Sequence, residues 1–168
     1  MILSNLRPAA IMMSAALGVA ALAATAGAGQ QTPAPQTETK PIVRPIPAPP
    51  DVAAPPADTD KTKTGLATKV ITPGTGADHP GADDIVTVHY TGWSTKGVMF
   101  DSSFTRGKPS TFNVKNVIPG YGETVQLMVA GEKRRAWIPE ELAYKGRADR
   151  PQGMLVFEIE LLSLAATP

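Results

Sequence analysis

Three observations in the amino-acid sequence predict an α+β domain, an antiparallel sheet covered on one face by a single short helix. Beyond Lys61 the chain runs in short stretches of alternating apolar and polar residues, the period of a half-buried strand. Gly and Pro punctuate these stretches, as at Pro73-Gly74-Thr75-Gly76, which is turn chemistry suited to joining neighbouring strands. Only the stretch opening at Pro119-Gly120 spaces its apolar residues by three and four, so one helix serves several strands.

The elements follow in chain order. Leu66 to Thr72 predicts a first strand, stopped by Pro73-Gly74. From Ile85 to Tyr90, alternation puts Val86, Val88 and Tyr90 on one face and Ile85, Thr87 and His89 on the other. Val98 to Phe100 and Thr111 to Val114 predict two more short strands. The helix carries Val125, Met128 and Val129 on one stripe, and Gly131 is expected to end it as a C-cap. Glu132 to Ile138 predicts a strand with Ala136 and Ile138 facing in and Arg135 and Trp137 facing out. In the last run, Met154 to Leu164, Leu155, Phe157, Ile159 and Leu161 alternate with Val156, Glu158, Glu160 and Leu162, a half-buried strand. The folded domain is therefore expected over residues 62–165.

Two segments precede it. Arg7 is the one charge before Ala9 to Ala26, an uncharged run followed by small residues at Ala24-Thr25-Ala26 and Ala26-Gly27-Ala28. That is the pattern of a cleaved secretory signal peptide over residues 1–28. A spanning helix needs ~20 strongly apolar residues, whereas this run is mostly alanine and broken by Gly18, so cleavage is favoured over a membrane anchor. An exported protein, periplasmic or secreted, is expected. Residues 29–61 hold more than half of the 17 prolines, between Pro33 and Pro56. Proline donates no backbone hydrogen bond and fixes φ, so this stretch predicts a disordered, extended linker. Its alternative role is as a ligand for proline-binding domains.

Composition excludes several functions. A formal net charge of +1 gives no field to draw in nucleic acid, and strand alternation splits Lys133-Arg134-Arg135 between two faces. With no cysteine there is no disulfide frame, thiolate nucleophile or thiolate metal site. Two histidines, His79 and His89, are too few for a metal centre. His89, Ser102 and Asp101 do not make a triad, because His89 points away from Tyr90. What remains is a binding pocket. Tyr90, Phe100 and Asp101 meet at one end of the sheet, two aromatics and a carboxylate suited to an apolar pocket with one polar anchor.

Five blocks carry a family resemblance: Val88-His89-Tyr90-Thr91-Gly92, Phe100-Asp101-Ser102-Ser103, Val117-Ile118-Pro119-Gly120, Leu142-Ala143-Tyr144 and Leu155 to Leu162. In this order the chain resembles the FK506-binding-protein (FKBP) peptidyl-prolyl isomerases. The resemblance implies a bent antiparallel sheet wrapped around one short helix. It implies catalysis of rotation about Xaa-Pro bonds by Tyr90, Phe100, Asp101, Tyr144 and Phe157, with Val117, Ile118, Tyr121 and Arg106 binding substrate. The Tyr144 hydroxyl and the Ile118 N–H are implied to hold peptide carbonyls, and Arg106 and Tyr90 to partner Asp101. No cofactor and no metal are implied. The implied partners are proline-containing polypeptides and macrolide inhibitors, met by a monomer. Three departures stand out. Tyr121 falls where the family usually has a tryptophan floor, and Ser110 where many members have a wall phenylalanine. The loop from Lys145 to Pro151 is short, so overhanging residues are expected to have no counterpart.

Overall fold

Bulges and one long central strand shape the sheet. A computed structural model describes residues 44–166. Among them lie β1 (Asp60–Lys61), β2 (Ala67–Thr72), β3 (Ile85–Ser94), β4 (Met99–Ser102), β5 (Ser110–Asn113), α1 (Pro119–Gln126), β6 (Lys133–Ile138) and β7 (Leu155–Ala165). The sheet order is β1-β2-β6-β7-β3-β4, with β5 also paired to β3. All pairings are antiparallel.

Strand β3 serves two neighbours along one edge. Its first half, Ile85–Val88, pairs with β5, and its second half, Thr91–Trp93, pairs with β4. Tyr90 falls at the parting, where its carbonyl accepts the Ser103 N–H at 3.0 Å. Register shifts interrupt β2 against β6, β3 against β4 and β3 against β7, and bulges of this kind bend a sheet. The shift in β7 has a visible use. Val88 faces Leu161 and Thr87 faces Ser163, so Leu162 turns outward while Leu164 returns to pack on the core.

The inner face follows the expected alternation. Val86, Val88, Ala136, Ile138, Leu155, Ile159 and Leu161 are buried together with Val125 and Met128. Helix α1 starts with Pro119 at its first turn, where a missing N–H costs nothing. Gly120 and Gly122 are poor helix formers, but a side chain at Gly120 would overlap Ile138, and one at Gly122 would meet the Val114 carbonyl at 3.1 Å. Close approach to the sheet requires them. The helix is shorter than expected, ending at Gln126 rather than at Gly131. Met128 is still buried, from the turn that follows, and Gly131 takes φ 83° where that turn enters β6.

Two expectations about the N-terminal segments meet the structure differently. The signal peptide and the first part of the linker lie outside the described residues. The later part of the proline-rich stretch, from Arg44, lies against the sheet instead of running free. Trp93 Nε1 donates to the Ile46 carbonyl at 3.0 Å and Trp137 Nε1 to the Asp51 carbonyl at 3.0 Å. Trp137 does face outward, yet it is buried. Prolines cannot donate to a sheet, but the carbonyls of Ile46 and Asp51, on either side of Pro47 to Pro50, accept from two indole donors on the outer face.

Candidate functional site

Where β4 and β5 part from each other along the edge of β3, a cavity of about 530 Å³ opens beside the helix N-terminus, within the size range of small-ligand sites. Each wall comes from a different element. Strand β3 supplies Tyr90, β4 supplies Phe100 and Asp101, and β5 supplies Phe112. Asn116, Val117 and Ile118 line it from the approach to α1, Tyr121 from the helix, and Phe157 from β7. Tyr144, Asp149, Arg150 and Pro151 close the remaining side.

The aromatic rings interlock edge to face. Tyr121 meets Phe157 at 5.4 Å, Tyr90 at 5.9 Å and Phe112 at 6.2 Å between centroids, and Phe100 meets Phe157 at 5.5 Å. Such geometry sets positive ring edges on negative faces and makes a rigid apolar wall. Gly92 permits it. A Cβ there would stand 2.7–2.8 Å from the Phe100 and Phe157 rings.

One carboxylate is fixed in this wall. Asp101 accepts from the Tyr90 hydroxyl at 2.5 Å and pairs with the Arg106 guanidinium. Arg106 also donates to the Tyr90 hydroxyl at 2.8 Å and to Ser110 Oγ at 3.0 Å, and its guanidinium lies 5.4 Å from the Tyr90 ring centroid. Arg106 is brought to Asp101 by the short turn Phe104–Arg106, which closes at Gly107 with φ 69°. Burial, then the bond to Asp101, pushes the Tyr90 hydroxyl above its ordinary range, with Arg106 opposing. Burial opposes the Arg106 charge, but its bonds to Tyr90 and Asp101 prevail and raise its pKa. Tyr121 is different. Its hydroxyl is buried with no hydrogen-bond partner among the described residues, and burial drives it well above the usual tyrosine range.

The structure thus brings together Tyr90, Phe100, Asp101, Val117, Ile118, Tyr121, Tyr144 and Phe157 around one cavity. Arg106 stands behind Asp101 and is absent from the lining, so it contacts the site through its partners. None of the five sequence blocks carries Phe112, although alternation puts it on the same face as the buried Val114. It supplies an aromatic wall two residues beyond Ser110, which instead turns its hydroxyl to Arg106.

The loop after Tyr144 is the clear correction. Short as it is, it overhangs the cavity with Asp149, Arg150 and Pro151. Lys145 at φ 53° and Gly146 at φ 71° turn the chain back. The Arg147 N–H donates to the Tyr144 carbonyl at 3.2 Å, and the Arg150 N–H to the Arg147 carbonyl at 3.0 Å. Arg150 lies 5.6 Å from the Tyr144 ring centroid. The rim therefore carries charge that the single-anchor expectation did not include.

His89 stands apart, stacked on Phe104 at 4.4 Å with Nδ1 3.0 Å from Ser103 Oγ. Ser103 is itself buried and accepts the Tyr90 N–H at 2.9 Å. Among the described residues no cluster of His, Asp or Glu is arranged to hold a metal ion.

Comparison with known proteins agrees with this fold. The chain is 49% identical over 106 residues to the FKBP-type peptidyl-prolyl cis-trans isomerase FkpA of Aeromonas hydrophila, covering 61% of this chain and 39% of that protein. It is 46% identical over 109 residues to the FKBP-type 22 kDa peptidyl-prolyl cis-trans isomerase of Escherichia coli, covering 62% of this chain and 52% of that protein. The chain spans about half, or less, of the length of these curated relatives. The crystal structure of FkpA from Escherichia coli superposes with a TM-score of 0.63 at 37% identity, over 67% of this chain and 54% of that one. The family model for the FKBP-type peptidyl-prolyl cis-trans isomerase matches residues 76–162, more than half of the chain, from the turn before β3 into β7. The chain belongs to the FKBP-type peptidyl-prolyl cis-trans isomerase family.

Proposed function

We propose that this chain catalyses cis-trans isomerisation of Xaa-Pro bonds in polypeptides, in the cavity between β3, β4 and α1. The observation that carries the reading is an interlocked aromatic wall holding one carboxylate, Asp101, tied to Tyr90 and Arg106. Rotation about a peptide bond crosses a barrier of ~18–20 kcal/mol, and for Xaa-Pro this takes tens to hundreds of seconds, roughly. In the twisted transition state amide resonance is lost, and the imide is less dipolar than in the planar ground state. An apolar cavity disfavours the planar form more than the twisted one, which lowers the barrier without a covalent step. Tyr90, Phe100, Phe112, Tyr121 and Phe157 supply that cavity. The Tyr144 hydroxyl and the Ile118 N–H hold the flanking carbonyls, and Asp101 stabilises the turned imide electrostatically. An acceleration of 10⁵ corresponds to about 7 kcal/mol of differential transition-state binding.

The substrates are proline-containing polypeptides. Export is part of the same reading. It is supported by the charge and small-residue pattern of residues 1–28, and no helix among the described residues is long and apolar enough to cross a membrane. Macrolide inhibitors would enter the same cavity, with Tyr121 beneath them.

The test is a protease-coupled or magnetisation-exchange assay on Xaa-Pro peptides. Catalysis above the uncatalysed rate is expected, with a fall of about tenfold or more in kcat/KM, roughly 1.4 kcal/mol or more, for Asp101→Leu and Tyr144→Phe. An uncatalysed rate from folded protein would refute the proposal. A second reading is a peptide-binding chaperone module without catalysis, favoured by the unpartnered Tyr121 hydroxyl in the floor. It predicts suppression of client aggregation that survives both substitutions.

A further inference from the structure

One in-register row crosses four strands on the face of the sheet away from α1. Trp93 on β3 stands opposite Val156 on β7, Val156 opposite Trp137 on β6, and Trp137 opposite Ala67 on β2. Trp93 is 3% exposed and Trp137 1%, although no helix among the described residues covers this row. Its cover is the proline-rich segment. The indole N–H groups of Trp93 and Trp137 each donate at 3.0 Å, to the carbonyls of Ile46 and Asp51. Val52 packs on Ala67, Trp137 and Val156. The Asp51 carboxylate pairs with Arg135, whose guanidinium also holds Glu158 at 2.8 Å and lies 6.0 Å from the Trp137 ring centroid.

Between the two indole contacts runs Pro47-Ala48-Pro49-Pro50. Such a stretch is pre-extended, has few donors and presents carbonyls on a narrow apolar ridge. A tryptophan N–H on such a carbonyl, with the ring as apolar floor, is how aromatic grooves read proline-rich segments. No residue from Arg44 to Thr59 joins a strand ladder; pairing starts only with β1 at Asp60. The segment is held as a ligand is held, by side chains of the groove. We propose that the outer face of the sheet is a second peptide-binding site, for a proline-rich segment that closes in a turn at an acidic residue, the Val52 N–H donating to the Pro49 carbonyl at 3.1 Å. Its resident ligand is the chain's own residues 44–53. Trp93, Trp137 and Arg135 form the site, and none of them lines the isomerase cavity.

The chain has two tryptophans, both in this groove, so tryptophan emission reports this site and not the cavity. The experiment uses the full chain carrying Asp51→Arg and Val52→Asp, which alter the ligand and spare the groove. Its emission is expected to shift to the red with far-UV circular dichroism unchanged. A synthetic peptide of residues 44–53 should reverse the shift saturably, and the same peptide with glycine for proline should not. Binding of the peptide in the cavity would leave emission unmoved. A folded variant with unshifted emission, or a shift that the peptide does not reverse, overturns the proposal. Should that variant not fold, a protease site inserted between the exposed Ala53 and Ala54 of the full chain serves instead. After cleavage the N-terminal fragment should co-elute with the domain and be displaced by excess peptide 44–53. Separation upon cleavage overturns the proposal.

Discussion

At the scale of single residues, Gly92 and Tyr121 govern the cavity. Gly92 lies where Phe100 and Phe157 converge, and a methyl group there has ring atoms at 2.7–2.8 Å. Gly92→Ala should therefore push the two rings apart and lower kcat/KM about tenfold, roughly 1.4 kcal/mol, read in the peptide assay beside unchanged far-UV circular dichroism. Tyr121 keeps a buried hydroxyl without a partner among the described residues, and leaving such a group unsatisfied costs about 1–3 kcal/mol. Tyr121→Phe should stabilise the fold by about 1 kcal/mol, measured as a higher urea midpoint. Gly92 belongs to a block that is legible in the sequence, and Tyr121 follows directly on another. The missing hydroxyl partner is not legible there, because it depends on which groups β3, β5 and β7 place around the ring.

At the scale of elements, the join between α1 and β6 rests on a buried ion pair. Arg134 donates to Glu132 at 2.6 Å, to Thr68 Oγ1 on β2 at 3.2 Å and to the Leu127 carbonyl after the helix at 3.3 Å. The two side chains are 11% and 7% exposed. Removing one partner strands a buried charge, so Glu132→Ala should cost about 3–5 kcal/mol in urea unfolding. The exposed pair of Arg147 with Asp149 should contribute under about 1 kcal/mol. Periodicity located β3 and β7 well, since each has one buried face. It placed the helix end late because Met128 is buried from a turn, and a period of three and four does not distinguish the two. The overhang of Asp149 to Pro151 was hidden for another reason: loop length says how many residues there are, and the path depends on turns at Lys145 and Gly146.

At the scale of the whole molecule, the tyrosines tie stability to alkaline pH. Burial raises Tyr90 and drives Tyr121 well up, while in the unfolded chain both titrate near ~10. Above that pH the unfolded chain loses protons that the folded state keeps, so stability falls as pH rises. The contribution is fully present below about pH 10 and lost as pH rises through the folded values. The urea midpoint should decline above about pH 10, less steeply in Tyr121→Phe. The sequence by itself determined the α+β class, the antiparallel strands, the inward side of β7 and the meeting of Tyr90, Phe100 and Asp101, because alternation and turn chemistry act within a few neighbours; Val117, Ile118, Tyr121, Tyr144 and Phe157 were reached only through the family resemblance. Tertiary structure alone decided the aromatic wall from Phe112, the charged rim, and the covering of Trp93 and Trp137 by residues 47 and 86 positions away. The physical reason is that a buried donor must find an acceptor, and nothing in local sequence says which distant carbonyl will supply it.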